Sequence, residues 1–479
     1  MSEHKNSNRE QALLKNTLIL SLGTFVPKAV SFVTLPILTA SLSKEEYGTY
    51  DLILVLVSLI LPAATLQIQT AAFRFLIKYR NCREKQESII TNIFVFSSVV
   101  SVVALIVMFF FLGDLHFDTR VIILLYFFSD IFNNTCLQVV RGLGENFSYA
   151  IGAIVGSVGK IVLTVVGVLW FQGGLKAAIL ALIVATSFSA LYIVAKSRLY
   201  SMVHIQYVSK KQLNELIGYS WPMVPNSMSM WVMNLSDRLV ITSVLGLEAN
   251  AIYAVANKIP SILSFAQSTF TMAWQENAAL SSEDKDASIY YSKMFRVLFD
   301  MMAGFLAVLI AMNPILFRIL VRGEYSQAYF QSTILFLGMF FSSISAYLGG
   351  IYVAYMKTKS VGMTTMAAAI INLLMDILLV SKIGITAGSI STTVSYLFLV
   401  VFRMIDVRKL VAIKYDIKRI IRLLIALLLM CFISSRATKL CDIANVFIGF
   451  ALFWMLNKEV IYILAKKLRK SVCRNSKTQ

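Results

Sequence analysis

Residues 89–112 and 325–356 run for 24 and 32 positions without an Asp, Glu, Lys or Arg. Runs of that length exceed the roughly 18 to 20 residues that carry a helix across the hydrocarbon core of a bilayer. In lipid every backbone N–H and C=O must be satisfied within the segment, so such runs become helices, not open strands or loops. Residues 177–195 and 384–402 hold 19 uncharged positions each. The rest of the chain follows suit: of 479 residues, 58% are hydrophobic and only 14% charged, against about a quarter charged in soluble domains. The sequence reads as an all-α polytopic membrane protein.

Apolar windows separated by charged breaks predict about 14 transmembrane helices. Helices one and two fall near 16–40 and 49–70, and helices seven and eight near 218–240 and 251–274. The last pair, near 420–435 and 443–464, is the least apolar. With this count, 32 Lys and Arg lie on one set of alternating loops and tails, 8 lie on the other, and four lie inside spans, which accounts for all 44. The cation-rich side is the cytoplasmic one, so both termini of a multi-pass protein are expected there. The same rule absorbs the net charge of +19, and no nucleic-acid partner is expected. Cys82, Cys136, Cys431, Cys441 and Cys473 show no metal-ligand or disulfide spacing, and His4, His116 and His204 are isolated. No metal, no cofactor and no removable signal peptide are expected. No loop is long enough for a catalytic domain, and no nucleophile, zinc or phosphate-loop motif appears.

The chain repeats itself. Leu42, Glu45, Gly48 and Tyr50, after helix one, recur as Leu245, Glu248, Ala251 and Tyr253, after helix seven, at a constant offset of 203. Gly174 and Ala177, between helices five and six, recur as Gly384 and Ala387, between helices eleven and twelve, at an offset of 210. Six of the seven prolines lie in helices one, two, seven and eight. Two pseudo-symmetric six-helix lobes follow, over 1–200 and 201–410, with two extra helices and a basic tail over 411–479. Each repeat has an even number of helices, so the repeats share one topology, as in other parallel-repeat transporters that work by alternating access. Pro27 and Pro36 in helix one, and Pro222 and Pro225 in helix seven, are the candidate hinges, because a helical proline removes a backbone bond.

Charge at the centre of a span costs at least ~2.5–3.5 kcal/mol on insertion scales, so each instance calls for a reason. The intramembrane cations are Lys28, Lys160, Arg238 and Lys258; the anions are Asp51, Asp130, Asp237, Asp300 and Asp376. One reading pairs them, Lys160 with Asp130 for instance, and leaves Asp237 as a counter-ion beside Arg238. The other assigns Lys28, Arg238, Lys258 and Lys160 to an anionic headgroup, which Lys and Arg bind strongly at low dielectric. Asp130, Asp300 and Asp376 are candidates for coupling to H+ or Na+.

Asn16, Gly23, Pro27, Lys28, Leu35, Pro36 and Thr39, followed by Leu42, Glu45, Tyr47, Gly48 and Tyr50, form a pattern that resembles the polysaccharide transporter family of Wzx-type flippases. Arg141, Gly142, Leu143 and Gly144 add to it. The family lies within the multidrug, oligosaccharidyl-lipid and polysaccharide exporters. The resemblance implies a flippase that carries undecaprenyl-diphosphate-linked oligosaccharide repeat units from the cytoplasmic to the outer leaflet, for O-antigen, capsule or exopolysaccharide assembly. It implies as partners a polysaccharide polymerase and a chain-length regulator. It also places a basic residue after the helix-one proline, where this chain has Lys28. A lipid II flippase and a cation-coupled drug antiporter of the same fold are the alternatives. The antiporter would be expected to carry a carboxylate in helix one, and no acid lies between Gly23 and Thr39.

Overall fold

The computed structural model describes residue 23 and residues 25–111, 117–282, 284–436 and 438–475. The polar tail, the expected start of helix one at 16–22 and most of the loop after residue 111 lie outside the described residues. Among those described there is no strand, and ten helices are long and apolar enough to cross a membrane. The chain is an all-helical, multi-pass membrane protein.

The chain divides into two compact units. Unit 1 comprises Met1–Trp231 with Leu320–Gly323, and unit 2 comprises Val232–Ile319 with Glu324–Gln479. Unit 1 holds α1 (Phe25–Ser41), α2 (Lys44–Ala64), α3 (Ile68–Lys78), α4 (Arg83–Phe111), α5 (Phe117–Leu143), α6 (Asn146–Thr164), α7 (Gly174–Lys196) and α8 (Lys210–Ser220). The next helix, α9 (Val224–Leu245), passes from the first unit into the second. Unit 2 continues with α10 (Leu247–Lys258), α11 (Ile262–Leu280), α12 (Ala287–Leu320), α13 (Ser326–Ala354), α14 (Thr358–Ile383), α15 (Thr386–Asp406), α16 (Ile417–Ser435) and α17 (Lys439–Asn475).

Local chemistry sets the helix ends. Ser43 opens α2 with a capping box: its hydroxyl accepts from Glu46 N at 3.1 Å, and the Glu46 carboxylate accepts from Ser43 N at 2.9 Å. The second oxygen of Glu46 accepts from Leu175 N at 3.2 Å and so ties the start of α2 to the start of α7. Gly174 makes that approach possible. It has φ +57, and a Cβ there would meet the Glu46 carboxylate at 2.7 Å. Its repeat partner Gly384 also adopts a left-handed φ, +62, just before α15. The two glycines paired by sequence offset therefore both take a positive φ at the start of a helix.

Expected helices two and eight are each broken in two, an internal likeness that a hydropathy window does not resolve. In unit 1 the break between α2 and α3 holds Leu66 and Gln67 at φ 48 and 58, a region that costs ordinary residues about 1–2 kcal/mol. In unit 2, α10 and α11 are separated around Pro260, which has no N–H to continue the helical ladder.

Small residues set the packing inside unit 1. Gly152 and Gly156 of α6 lie against α7, where an added Cβ would meet Ile193 at 2.6 Å and Ser189 at 3.0 Å. Ser189 Oγ donates to the Gly152 carbonyl at 2.8 Å, a close helix approach of the small-residue kind. In unit 2, α13 is the most buried helix, and aromatic rings fill the space around it. Trp274 stacks on Tyr347 with ring centroids 4.3 Å apart and donates to the Tyr347 carbonyl at 2.9 Å.

Candidate functional site

Each unit holds a polar cluster at membrane depth. In unit 1 the helices α2, α5 and α6 supply it. Asp130 accepts a hydrogen bond from Asn134, one turn along α5, and faces the Lys160 ammonium on α6. Tyr126 lies beside Asp130 and beside Tyr50 of α2, whose neighbour Asp51 is 3% exposed. Lys160 and Asp130 are therefore brought together, which fits the ion-pair reading of that lysine. Lys28 projects from α1 of the same unit with an exposed side chain.

In unit 2 the cluster is drier and acidic. Asp237 on α9 is 2% exposed and Asp376 on α14 is 1% exposed. One oxygen of Asp237 accepts from the Tyr253 hydroxyl and from Thr392 Oγ1 at 2.6 Å. One oxygen of Asp376 accepts from Ser391 Oγ at 2.5 Å. Asn372 donates to Ser391 at 3.4 Å and accepts from Ser236 at 3.3 Å, which extends the network to α9. The two carboxyl groups lie within hydrogen-bonding reach of each other. The remaining oxygens, Asp237 Oδ1 and Asp376 Oδ2, are buried and have no donor among the described residues. Two carboxylates this close in a dry interior repel each other, and a shared proton or a small cation relieves that repulsion. The arrangement can hold one positive charge and release it.

The sequence assigned Asp237 a lesser part, as a counter-ion near the interface. Its burial, and its hydrogen bonds to Tyr253 and Thr392, instead join α9 to α10 and α15. Tyr253 is the repeat's tyrosine, and it carries a role that the repeat alone did not suggest. Asp300, grouped with Asp376 by sequence, lies elsewhere in unit 2: it takes both Nε and Nη2 of Arg419, at 3.1 and 2.8 Å. Arg238 lies on α9 and Lys258 ends α10, both half-buried.

The prolines divide into two kinds. Pro27 and Pro36 lie within α1, and Thr39 turns its hydroxyl back to the Leu35 carbonyl at 2.9 Å in the turn after Pro36. Pro222 falls in a short 3-10 turn, and Pro225 is the second residue of α9. Both lie near the start of the 218–240 window, at the 3-10 turn that joins α8 to α9, where Trp221 N donates to the Ile217 carbonyl and Val224 N to the Trp221 carbonyl.

One buried cation escaped sequence reasoning altogether. Arg403 falls in a basic stretch that reads as a topology determinant, yet it is only 4% exposed. Its guanidinium donates to Thr364, Thr365 and the carbonyls of Ser345 and Val361, at 2.8 to 3.2 Å. It fastens α13, α14 and α15 together through neutral oxygens. Only the threonine pair at the start of α14 hints at this in the sequence.

Comparison with known proteins gives the frame for these clusters. The fold is similar to that of the lipid II flippase MurJ in an inward closed conformation: TM-score 0.69 and 14% identity, covering 94% of this chain and 100% of that one. It is also similar to a multidrug resistance MATE family transporter of the MOP superfamily in its inward-facing conformation. That match has a TM-score of 0.66 and 14% identity, over 82% of this chain and 95% of the other. A MOP superfamily transporter from Pyrococcus furiosus, described as having a binding pocket of reverse polarity, matches with a TM-score of 0.59 and 14% identity, over 84% and 96%. No curated protein sequence matches. Residues 13–275, more than half of the chain, match the family model described as polysaccharide biosynthesis protein. The fold is thus that of MOP superfamily transporters, and the chain belongs to the polysaccharide biosynthesis protein family.

Proposed function

We propose that the protein is a flippase for polyprenyl-diphosphate-linked oligosaccharides. It carries repeat units from the cytoplasmic to the outer leaflet of a bacterial inner membrane, by alternating access, to supply surface polysaccharide assembly. Family membership supports the class of cargo, and the single observation that carries the reading is the set of intramembrane cations Lys28, Lys160, Arg238 and Lys258 in a fold of transporters. A flippase needs no covalent chemistry. It needs cations to hold a diphosphate away from water while the polyprenyl chain stays in lipid. Lys28 of unit 1 and, separately, Arg238 and Lys258 of unit 2 are candidates for contact with the headgroup. Lys160, which faces Asp130, contributes its charge when that pair opens.

Coupling is assigned to Asp237 and Asp376, which bind H+ or Na+ between their donor-free oxygens. No resident cofactor is required. Asp130 is a second candidate through its exchange with Lys160. A polymerase that consumes the delivered units and a regulator of chain length are the partners this role calls for, and both termini are assigned to the cytoplasm.

Lipid II as cargo is the second reading, favoured by the structural likeness to MurJ. Deletion of the gene separates the two. A surface-polysaccharide flippase leaves a lipid-linked oligosaccharide accumulating on the inner leaflet of viable cells. Accumulation of lipid II instead, with loss of cell-wall integrity, would overturn the first reading in favour of the second.

A further inference from the structure

A charged cavity in unit 2 lies apart from the carboxylate pair and shares no residue with it. Its volume is about 410 Å³, and it opens between the first half of α12 and the segment that leads into α16. Four cations line it: Lys293 and Arg296 from α12, and Lys414 and Arg419 from the other wall. The two acids present are already engaged. Asp300 takes both arms of Arg419 and lies 3.9 Å from Arg296, while Asp416 accepts from Arg419 N at 3.0 Å as the cap of α16. Two positive charges therefore remain uncompensated at the cavity. The Arg296 side chain is 64% exposed, and Lys293 and Lys414 are exposed beside it.

The floor is of the opposite character. Phe295 and Phe299 are buried, and Tyr415 meets Phe295 edge-on with centroids 4.8 Å apart. The Tyr415 hydroxyl is itself buried and has no hydrogen-bond partner among the described residues. Outside the cavity, Ile417, next to the lining residue Asp416, starts an apolar stripe on the exposed face of α16. Ile417, Ile421, Ile425, Leu428 and Phe432 recur at helical spacing and are 46% to 57% exposed, as lipid-facing residues are.

We propose that this cavity binds the phosphate headgroup of an anionic phospholipid, with an acyl chain lying along the exposed stripe of α16. A free phosphate would use the cations and ignore the stripe, and a zwitterionic lipid would use the stripe and leave two cations unmatched. An anionic phospholipid satisfies both. Basic pockets between membrane helices on the cation-rich side are a recurrent setting for such headgroups, and the volume lies within the range of small-ligand sites. The bound lipid would hold α16, the first of the two added helices, against α12.

The test uses the purified full-length protein, stripped of lipid in mild detergent and titrated with single lipids in native mass spectrometry. Phosphatidylglycerol should bind as one discrete adduct, at least about tenfold more tightly than phosphatidylcholine. Lys293→Gln with Lys414→Gln should weaken phosphatidylglycerol binding by roughly tenfold or more, since each surface cation contributes to holding an anionic lipid. Both side chains are exposed, so the lipid-free melting temperature should be unchanged. Arg296→Gln provides a second variant should the double substitution lower the yield. Equal binding of the two lipids, or unaltered affinity in the variants, would overturn the proposal. Displacement of phosphatidylglycerol by an equal concentration of undecaprenyl phosphate would also overturn it, by giving the cavity to the transported class of lipid.

Discussion

Replacing Asp376 with Asn tests the carboxylate pair most sharply, because size and shape stay the same while one charge is removed. In the native chain Asp376 accepts from Ser391 at 2.5 Å, and its other oxygen, like Asp237 Oδ1, has no donor. An amide at this position can accept from Ser391 through its oxygen and donate through its nitrogen to Asp237. A hydrogen bond to a charged group contributes about 1.5–3 kcal/mol, and a like-charge repulsion disappears with it. Asp376→Asn should therefore be at least as stable as the native protein in the absence of coupling ion, and up to about 2 kcal/mol more so. Asp376→Ala differs. It takes one of two acceptors from Ser391, which keeps the Gly388 carbonyl at 3.0 Å, and leaves a small void, a loss of about 1–3 kcal/mol.

The same substitution should abolish ion linkage. An ion held between the two carboxylates at a hundred times its dissociation constant stabilises the native protein by about 2.7 kcal/mol. Melting temperature as a function of Na+ concentration, and separately of pH, gives the readout in detergent. Gradient-driven flux in proteoliposomes gives it in a membrane. Native protein should respond to one of the two ions, and Asp376→Asn to neither. An Asn variant that keeps the native ion response, or that falls in stability as far as the Ala variant, would refute the assignment of the ion to this pair.

Four further outcomes follow from the geometry. Gly174→Ala forces a Cβ to within 2.7 Å of Glu46 in a left-handed turn, whereas a Cβ at Gly384 meets nothing within 4 Å. Gly384→Ala should therefore cost only the backbone term of about 1–3 kcal/mol and Gly174→Ala clearly more, as read by thermal unfolding of the purified variants. Lys28→Ala should lower export of surface polysaccharide strongly at normal membrane abundance, while Lys28→Arg retains much of it; full export by the Ala variant would remove Lys28 from the headgroup site. Arg403→Ala removes the guanidinium that joins Thr364, Thr365 and the Ser345 and Val361 carbonyls, while Val361 keeps the threonine hydroxyls at 3.0 and 2.8 Å, and should cost about 1–3 kcal/mol, measured as loss of folded protein in detergent; unaltered stability would deny Arg403 its fastening role. Reporter fusions at Gln479 and between residues 113 and 120 should give opposite signals, cytoplasmic for the first; equal signals would break the topology.

What the sequence made legible was whatever acts over whole helices or fixed offsets. The spans follow from uncharged runs, and the repeat from Leu42, Glu45 and Tyr50 recurring 203 residues on. The positive φ common to Gly174 and Gly384 was encoded in the same way. Features that depend on which face of a helix meets which neighbour were not legible. Asp237 and Asp376 are 139 positions apart, and no spacing rule brings them together; Thr392 and Tyr253, which complete the cluster, are ordinary residues of apolar helices. Arg403 sits among other cations near a helix end, so charge counting assigned it to the surface, while its burial depends on two threonines from another helix. The breaks in helices two and eight were hidden because a hydropathy window averages over three residues of turn.

Translocation by the purified protein tests the central claim most directly. Proteoliposomes that carry an undecaprenyl-diphosphate oligosaccharide in the membrane, with an externally added enzyme that modifies only outward-facing sugar, report how much substrate has crossed. The account expects native protein to expose the sugar at a rate well above empty liposomes, with a marked loss in Lys28→Ala and loss of gradient dependence in Asp376→Asn. Exposure no faster than in empty liposomes, from protein that remains folded and correctly inserted, would contradict it.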